Sequence, residues 1–300
     1  MNAGAIYAFL TAIGFKTNTL TVRFLQEKGA AAIDTYTIYR YALIPSVIWC
    51  LVFVRKADLN LIFHSPKLLI IFGTIIVFWN LQAYLRAQIT NSTSSMTLFS
   101  TIFNILVFPL FLGFGTFFNH DKPNIFSMSA ILVLLVALLI KPTPHKENLR
   151  PHLSKPLRLI VLLIFFTACC DTILQGVARE ALKQVHPVVF LGVFSLPTLS
   201  VCWIISRFYI QRQTKESVTM QQRQWLAVSL IPMTWFLASI PEAFALAAIP
   251  IYVFISINVI TFLMDTVSDV IHKRIHLNFQ TASFIFTVLI GISLSIISIN

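Results

Sequence analysis

Charge is what this 300-residue chain has least of. Asp, Glu, Lys and Arg make up 11% of it and apolar side chains 57%, whereas a soluble globular domain carries about 25% charge. Too few polar groups are present to cover a water-exposed surface, which excludes a soluble fold. Acidic residues are the scarcer sign, 11 against 22 basic ones, for a net charge of +11. The basic excess does not describe a nucleic-acid surface. It lies mostly in short links between apolar runs, where Lys and Arg meet lipid headgroups and fix orientation. Cysteine is also sparse. Cys50, Cys169, Cys170 and Cys202 all lie in apolar stretches, none at metal-ligand spacing with a histidine, so neither a disulfide framework nor a metal site is expected. There is no Gly-rich phosphate loop, no nucleotide-binding motif and no clustered His/Glu or Ser/His arrangement. No cofactor, direct ATP drive or enzymatic activity is expected. The opening MNAGAIYAFLTAIGF has no basic stretch before its apolar run and no small-residue cleavage site. It reads as a retained first span, with no soluble domain at either end.

What the chain does have is long apolar runs. A membrane-spanning helix needs about 20 mainly apolar residues. Ten candidates lie at about 4–26, 35–54, 68–89, 95–117, 124–141, 158–181, 187–209, 225–247, 251–271 and 278–298. Their length and continuity predict helices, not barrel strands. The stretch 142–157, basic and rich in proline, divides the chain into 1–141 and 158–300 with five runs on each side. A shift of about 156 relates the two sides. Thr11 to Lys16 faces Thr167 to Thr172, Arg23 matches Arg179, Trp79 matches Trp235 and Arg86 matches Glu242. At a slightly smaller shift Pro45 matches Pro197. Five is odd, so two homologous halves have opposite orientations. Inverted repeats of this kind place a solute site near the bilayer midplane at their interface.

Six charges within these runs are the candidate cavity residues: Lys16, Arg40, Arg86, Asp171, Glu242 and Asp265. A charge at bilayer depth costs about 3 kcal/mol or more, and such residues face a cavity or a partner. Lys16 sits midway in its run and Asp171 at the matching depth of the second half, so the two are candidates to pair. Arg86 and Glu242 form a second such couple. Arg40 reads either as a cavity arginine or as one snorkelling to the headgroups. Asp265 is the deeper of an i,i+4 pair with Asp269. Asn18, Asn80, Gln82, Asn104, Gln175 and Asn258 read as interhelical hydrogen-bonding residues.

The layout resembles the drug/metabolite transporter superfamily, and within it the ten-helix EamA-type transporters. Gly14 and the polar positions through Asn18 look like that family's first helix. Thr37 to Leu43 around Arg40 looks like its second-helix arginine. Ala83 to Thr90 with Ser94 and Ser95 looks like its third-to-fourth helix junction. The chain departs from the family where Leu112-Gly113 is followed by Phe114, not Glu, and where the ninth run carries Asp265 and no proline. The resemblance implies an all-α integral membrane protein, ten transmembrane helices in two inverted five-helix repeats around a central cavity. It implies a secondary transporter of a small polar metabolite in a bacterial inner membrane; the inverted repeat adds alternating access, and charges of both signs within the runs suit an amino acid or another zwitterionic or anionic solute. The expected partners are the solute and membrane lipid, the chain being a monomer or homodimer and binding no nucleic acid. Phosphorylated or nucleotide-linked solutes and drugs remain alternatives, as does a non-transporting assembly or lipid-binding subunit. The odd-numbered links hold most of the Lys and Arg, which places both termini outside by the positive-inside rule; the resemblance implies cytosolic termini.

Overall fold

The computed structural model describes residues 2–27, 35–90, 96–142, 156–213, 222–271 and 275–299, without the side chains of 18–27, 35–41, 87, 90, 96–100, 206–213 and 222–233. The predicted linker therefore lies almost wholly outside the described residues, as does the Arg40 side chain. Among the described residues the chain is helical and has no strand. The helices are α1 (Ala3–Glu27), α2 (Thr35–Phe53), α3 (Lys56–Phe63), α4 (Pro66–Thr90), α5 (Met96–Phe117), α6 (Ile125–Ile140), α7 (Leu157–Leu182), α8 (Pro187–Gln213), α9 (Gln222–Ala248), α10 (Ile251–Asn258), α11 (Ile260–Ile271) and α12 (Phe279–Ile297). Each of the ten apolar runs is helical. Two details were not foreseen. The basic link before the third run folds as the short helix α3, its first turn closed by the backbone N–H of Arg55 donating to Asp58 Oδ2 at 2.9 Å. The ninth run is broken at Val259 into α10 and α11.

Among the described residues, five stretches are long and apolar enough to cross a membrane: Pro66–Arg86, Leu157–Leu182, Pro187–Ile205, Ile251–Ile271 and Phe279–Ile297. Shorter apolar stretches occupy α1, α2, α5, α6 and α9. Their outer faces carry large apolar side chains in the open, among them Leu51, Phe117, Ile125, Leu139 and Phe279. An apolar exterior on this scale is solvated by lipid, not water.

Helices from the two sides of the linker pack antiparallel against each other. α1 runs along α9, α2 along α8, α4 along α7 and α6 along α12. Without a hydrophobic force to drive them together in lipid, helices associate through small residues and interhelical hydrogen bonds. Both devices are present. A Cβ on Gly14 would lie 2.7 Å from the Ala238 Cβ, so α1 and α9 meet backbone to backbone. Ser46 and Ser195 share a hydrogen bond between α2 and α8, and Trp49 Nε1 donates to the Val188 carbonyl at 2.9 Å. α6 and α12 are joined at both ends. Asn124 caps α6 by accepting from Ser127 N, and its Nδ2 donates to the Ser298 carbonyl at 3.0 Å. Asn278 caps α12 by accepting from Thr281 N, while Gln280 Nε2 donates to the Ile140 carbonyl at 3.2 Å.

α5 and α10 close the arrangement against α7. Phe114 of α5 lies on Gly176 of α7 so closely that a Cβ there would overlap the ring. Gly73 of α4 has nothing within 4 Å of such a Cβ. Gly176→Ala is therefore expected to destabilise the protein by about 1–3 kcal/mol, the usual cost of overpacking. Gly73→Ala is expected to be neutral or slightly stabilising, since alanine is the better helix former. Thermal unfolding of the two purified variants in detergent checks both.

Candidate substrate cavity

Three helix faces supply the polar side of an internal space. On α4, Trp79, Gln82 and Arg86 follow i, i+3, i+7 spacing and share one face. On α7, Asp171 and Gln175 are one turn apart, and on α9, Trp235, Ser239 and Glu242 share one face at i, i+4, i+7 spacing. All eight line a cavity of about 580 Å³ bounded by α1, α4, α5, α7, α8, α9, α10 and α11. Asn104 from α5 and Asn258 from the end of α10 complete its polar lining.

The polar groups hold each other across helices. Gln82 Nε2 donates to Asp171 Oδ1, and Arg86 Nη2 lies 3.8 Å from that oxygen. The Arg86 guanidinium also stands 5.7 Å from the centroid of the Phe103 ring, within cation–π range. Gln175 Nε2 donates to Glu242 Oε1 at 2.9 Å. Trp79 and Trp235 meet edge to face with centroids 6.2 Å apart. Asp171 is buried, whereas the Arg86 side chain keeps 38% exposure.

Of the six sequence candidates, Arg86, Asp171 and Glu242 come together on this wall. Lys16 and Asp265 do not line it. They form an ion pair between α1 and α11, with Lys16 only 4% exposed and the Asp265 side chain 30% exposed. The Lys16–Asp171 pairing expected from the repeat is thus not the one formed. Asp171 is taken by Gln82 and Arg86 of α4, and Lys16 by α11. The reason is helical phase. Successive residues are turned by about 100°, so Phe15 faces the cavity while Lys16 is rotated toward α11. Gln82 and Gln175 do bond between helices, as expected, but they are also cavity residues, each binding one of its two carboxylates. Their spacing one turn from Arg86 and Asp171 was the available signal.

A second polar cluster went unnoticed in the sequence. Arg179, one residue past the cavity-lining Ala178, pairs with Asp121 from the α5–α6 connection. The adjacent Glu180 accepts from Asn119 Nδ2 at 3.0 Å, pairs with Lys183 and lies 4.0 Å from Lys67 Nζ. These residues tie the C-terminal end of α7 to the start of α4 and to the α5–α6 corner, where His120 takes a positive φ of 57°. No sequence spacing announces this cluster, because its members come from three separate segments.

The sequence matches no protein-family model and no curated protein. The fold does have solved counterparts. The crystal structure of a protein 10% identical in sequence superposes with a TM-score of 0.74, covering 98% of this chain and 97% of that one. At that identity the likeness concerns the fold alone.

Removing one member of a buried ion pair strands the other and costs about 3–5 kcal/mol when both are sequestered. Asp265 is partly exposed, so Lys16→Met is expected to cost less, about 1–3 kcal/mol. Lys16→Met combined with Asp265→Leu is expected to recover part of that loss. A double-mutant cycle by thermal unfolding reads the coupling directly, and additive effects would show that the contact contributes nothing.

Proposed function

We propose that the chain is a secondary transporter of a small polar solute, working by alternating access around this cavity. The observation that carries the reading is the convergence of Arg86, Asp171 and Glu242, from three apolar helices, on one internal space. Charges are retained in spans where they serve a polar pathway. Arg86 offers a fork of donors suited to a carboxylate, and the two acids offer acceptors to an amine. A zwitterion such as an amino acid, or an anionic metabolite, fits that set.

Ten spans in two inverted halves are part of the same proposal, and the packing supports it. Exchanging each helix for its counterpart (α1 with α7, α2 with α8, α4 with α9, α6 with α12) turns the α1–α9 contact into the α4–α7 contact. The same exchange leaves α2–α8 and α6–α12 unchanged. The asparagine cap of α6 recurs as that of α12, Asn124 and Ser127 answering to Asn278 and Thr281. Such a pseudo-two-fold is the basis of rocking-type alternating access. The EamA-type resemblance points the same way, and with it a bacterial inner-membrane location.

Uptake of radiolabelled amino acids into proteoliposomes tests the reading. Arg86→Gln and Asp171→Asn are each expected to lower flux at least ~10-fold, as follows from losing a charge-assisted hydrogen bond of about 1.5–3 kcal/mol. Lys16→Met, outside the cavity, is expected to retain it once folded. Unchanged flux in both cavity variants would remove the site from the mechanism.

A further inference from the structure

The cavity is closed at its α3 end in two layers. Ala178 and Leu246, near the ends of α7 and α9, and Phe190 and Phe254, in the first turns of α8 and α10, form an apolar floor, each at most 4% exposed. Directly behind this floor lies the Arg179 cluster. Arg179 follows Ala178 on α7 and pairs with Asp121, with side-chain exposures of only 12% and 8%. Asn119 Nδ2 donates to the Gly176 carbonyl and to Glu180 Oε1, each at 3.0 Å. Gly115 of α5 brings the same corner onto α10, since a Cβ there would lie within 3.3 Å of Ile251, Asp121 and Tyr252. The α5–α6 corner thus grips α7 and α10 where they line the floor. It leads straight into α6, which Asn124 and Gln280 tie to α12.

Three features distinguish this contact from a fixed brace. The pair lies beside the exposed side chains of Lys67 and Lys183, so water is at hand for charges that separate. Burying both charges offsets much of their attraction, which brings the made pair and the hydrated pair closer in free energy; an apolar seam has no such second state. The network is also only partly satisfied. Arg179 Nε and Asn119 Oδ1 are buried and make no hydrogen bond among the described residues, and such groups gain by meeting water. Between Asn119 and Asp121, His120 holds a φ of 57°, a strained state for a residue other than glycine. We propose that Asp121, Arg179 and Asn119 are the gate at the α3 end of the cavity. With the pair made, the corner holds α7 and α10 together and the floor is shut. When the pair parts, the α6–α12 pair carries the corner away from α7 and the floor opens to that side. That the opening serves the passage of a solute rests on the transport reading above; the gate itself does not.

Cysteine accessibility in sealed vesicles tests the gate, with Cys50, Cys169, Cys170 and Cys202 replaced by alanine. An impermeant maleimide reads Ala178→Cys in the floor, and Lys56→Cys on the exposed face of α3 identifies vesicles with that face outward. From there Ala178→Cys is expected to label at least ~10-fold more slowly than Lys56→Cys, as for a site open only in a minor state. Asp121→Asn, which keeps an acceptor for Arg179, and Arg179→Gln are each expected to speed that labelling at least ~5-fold by shifting the population toward the open state. Exchanging the two charges, Asp121→Arg with Arg179→Asp, is expected to slow it again. A purely structural brace would lower the unfolding temperature and leave labelling unchanged, and that result would overturn the proposal. A second readout leaves the pair intact. Lys122→Cys and Gln184→Cys, both exposed, are bridged across the gate by a reducible bis-thiosulfonate. The bridge is expected to lower amino-acid flux in proteoliposomes at least ~10-fold, the floor being held in its closed population, and reduction to restore it. Flux untouched by the bridge would overturn the gate. Gate-dependent labelling in a protein that shows no flux even unbridged would leave the gate standing and remove the transport reading instead.

Discussion

A charge placed in lipid must find a partner within the protein, and most of this structure follows from that requirement. The helices associate without help from the hydrophobic effect, since lipid tails are as apolar as leucine. Polar side chains therefore act as the specific contacts between otherwise interchangeable apolar rods. Gln82 and Arg86 tie α4 to α7 through Asp171, Gln175 ties α7 to α9 through Glu242, and Lys16 ties α1 to α11 through Asp265. Each contact also fixes the rotation of two helices about their own axes. Those rotations decide which faces turn inward to enclose the cavity.

Small residues set the other constraint. At Gly14 and Gly176 the neighbouring helix or ring occupies the volume a side chain would need. The glutamine–carboxylate bonds join other helix pairs, α4 with α7 and α7 with α9, so close packing and polar contact divide the interfaces between them.

Helix positions were readable from composition because a run of apolar residues long enough to span has few other folds available. The ranges 158–181 and 278–298 differ from α7 and α12 by a single residue at each end. Cavity residues were readable in part: Arg86, Asp171 and Glu242 stood out as charges in apolar surroundings. Their partners were not, because partner choice depends on helix rotation and on which helices touch. Lys16 shows this well. Its depth in the first run matched that of Asp171, but its phase on α1 turned it to α11. The α10–α11 break was invisible for a different reason, since neither proline nor glycine marks Val259. The ion-pair cluster around Arg179 and Asp121 combines residues from three segments that no periodicity connects.

The reciprocal capping of α6 and α12 bears on how such a molecule moves. Each helix begins with an asparagine cap, and side chains at both starts donate to carbonyls at the far end of the partner: Asn124 to Ser298, and Gln280 to Ile140. Sliding one helix past the other by a turn, about 5.4 Å, would break both links at once, and tilting the pair apart would break at least one. The two helices are thus linked at top and bottom, and the pair is expected to move as one unit.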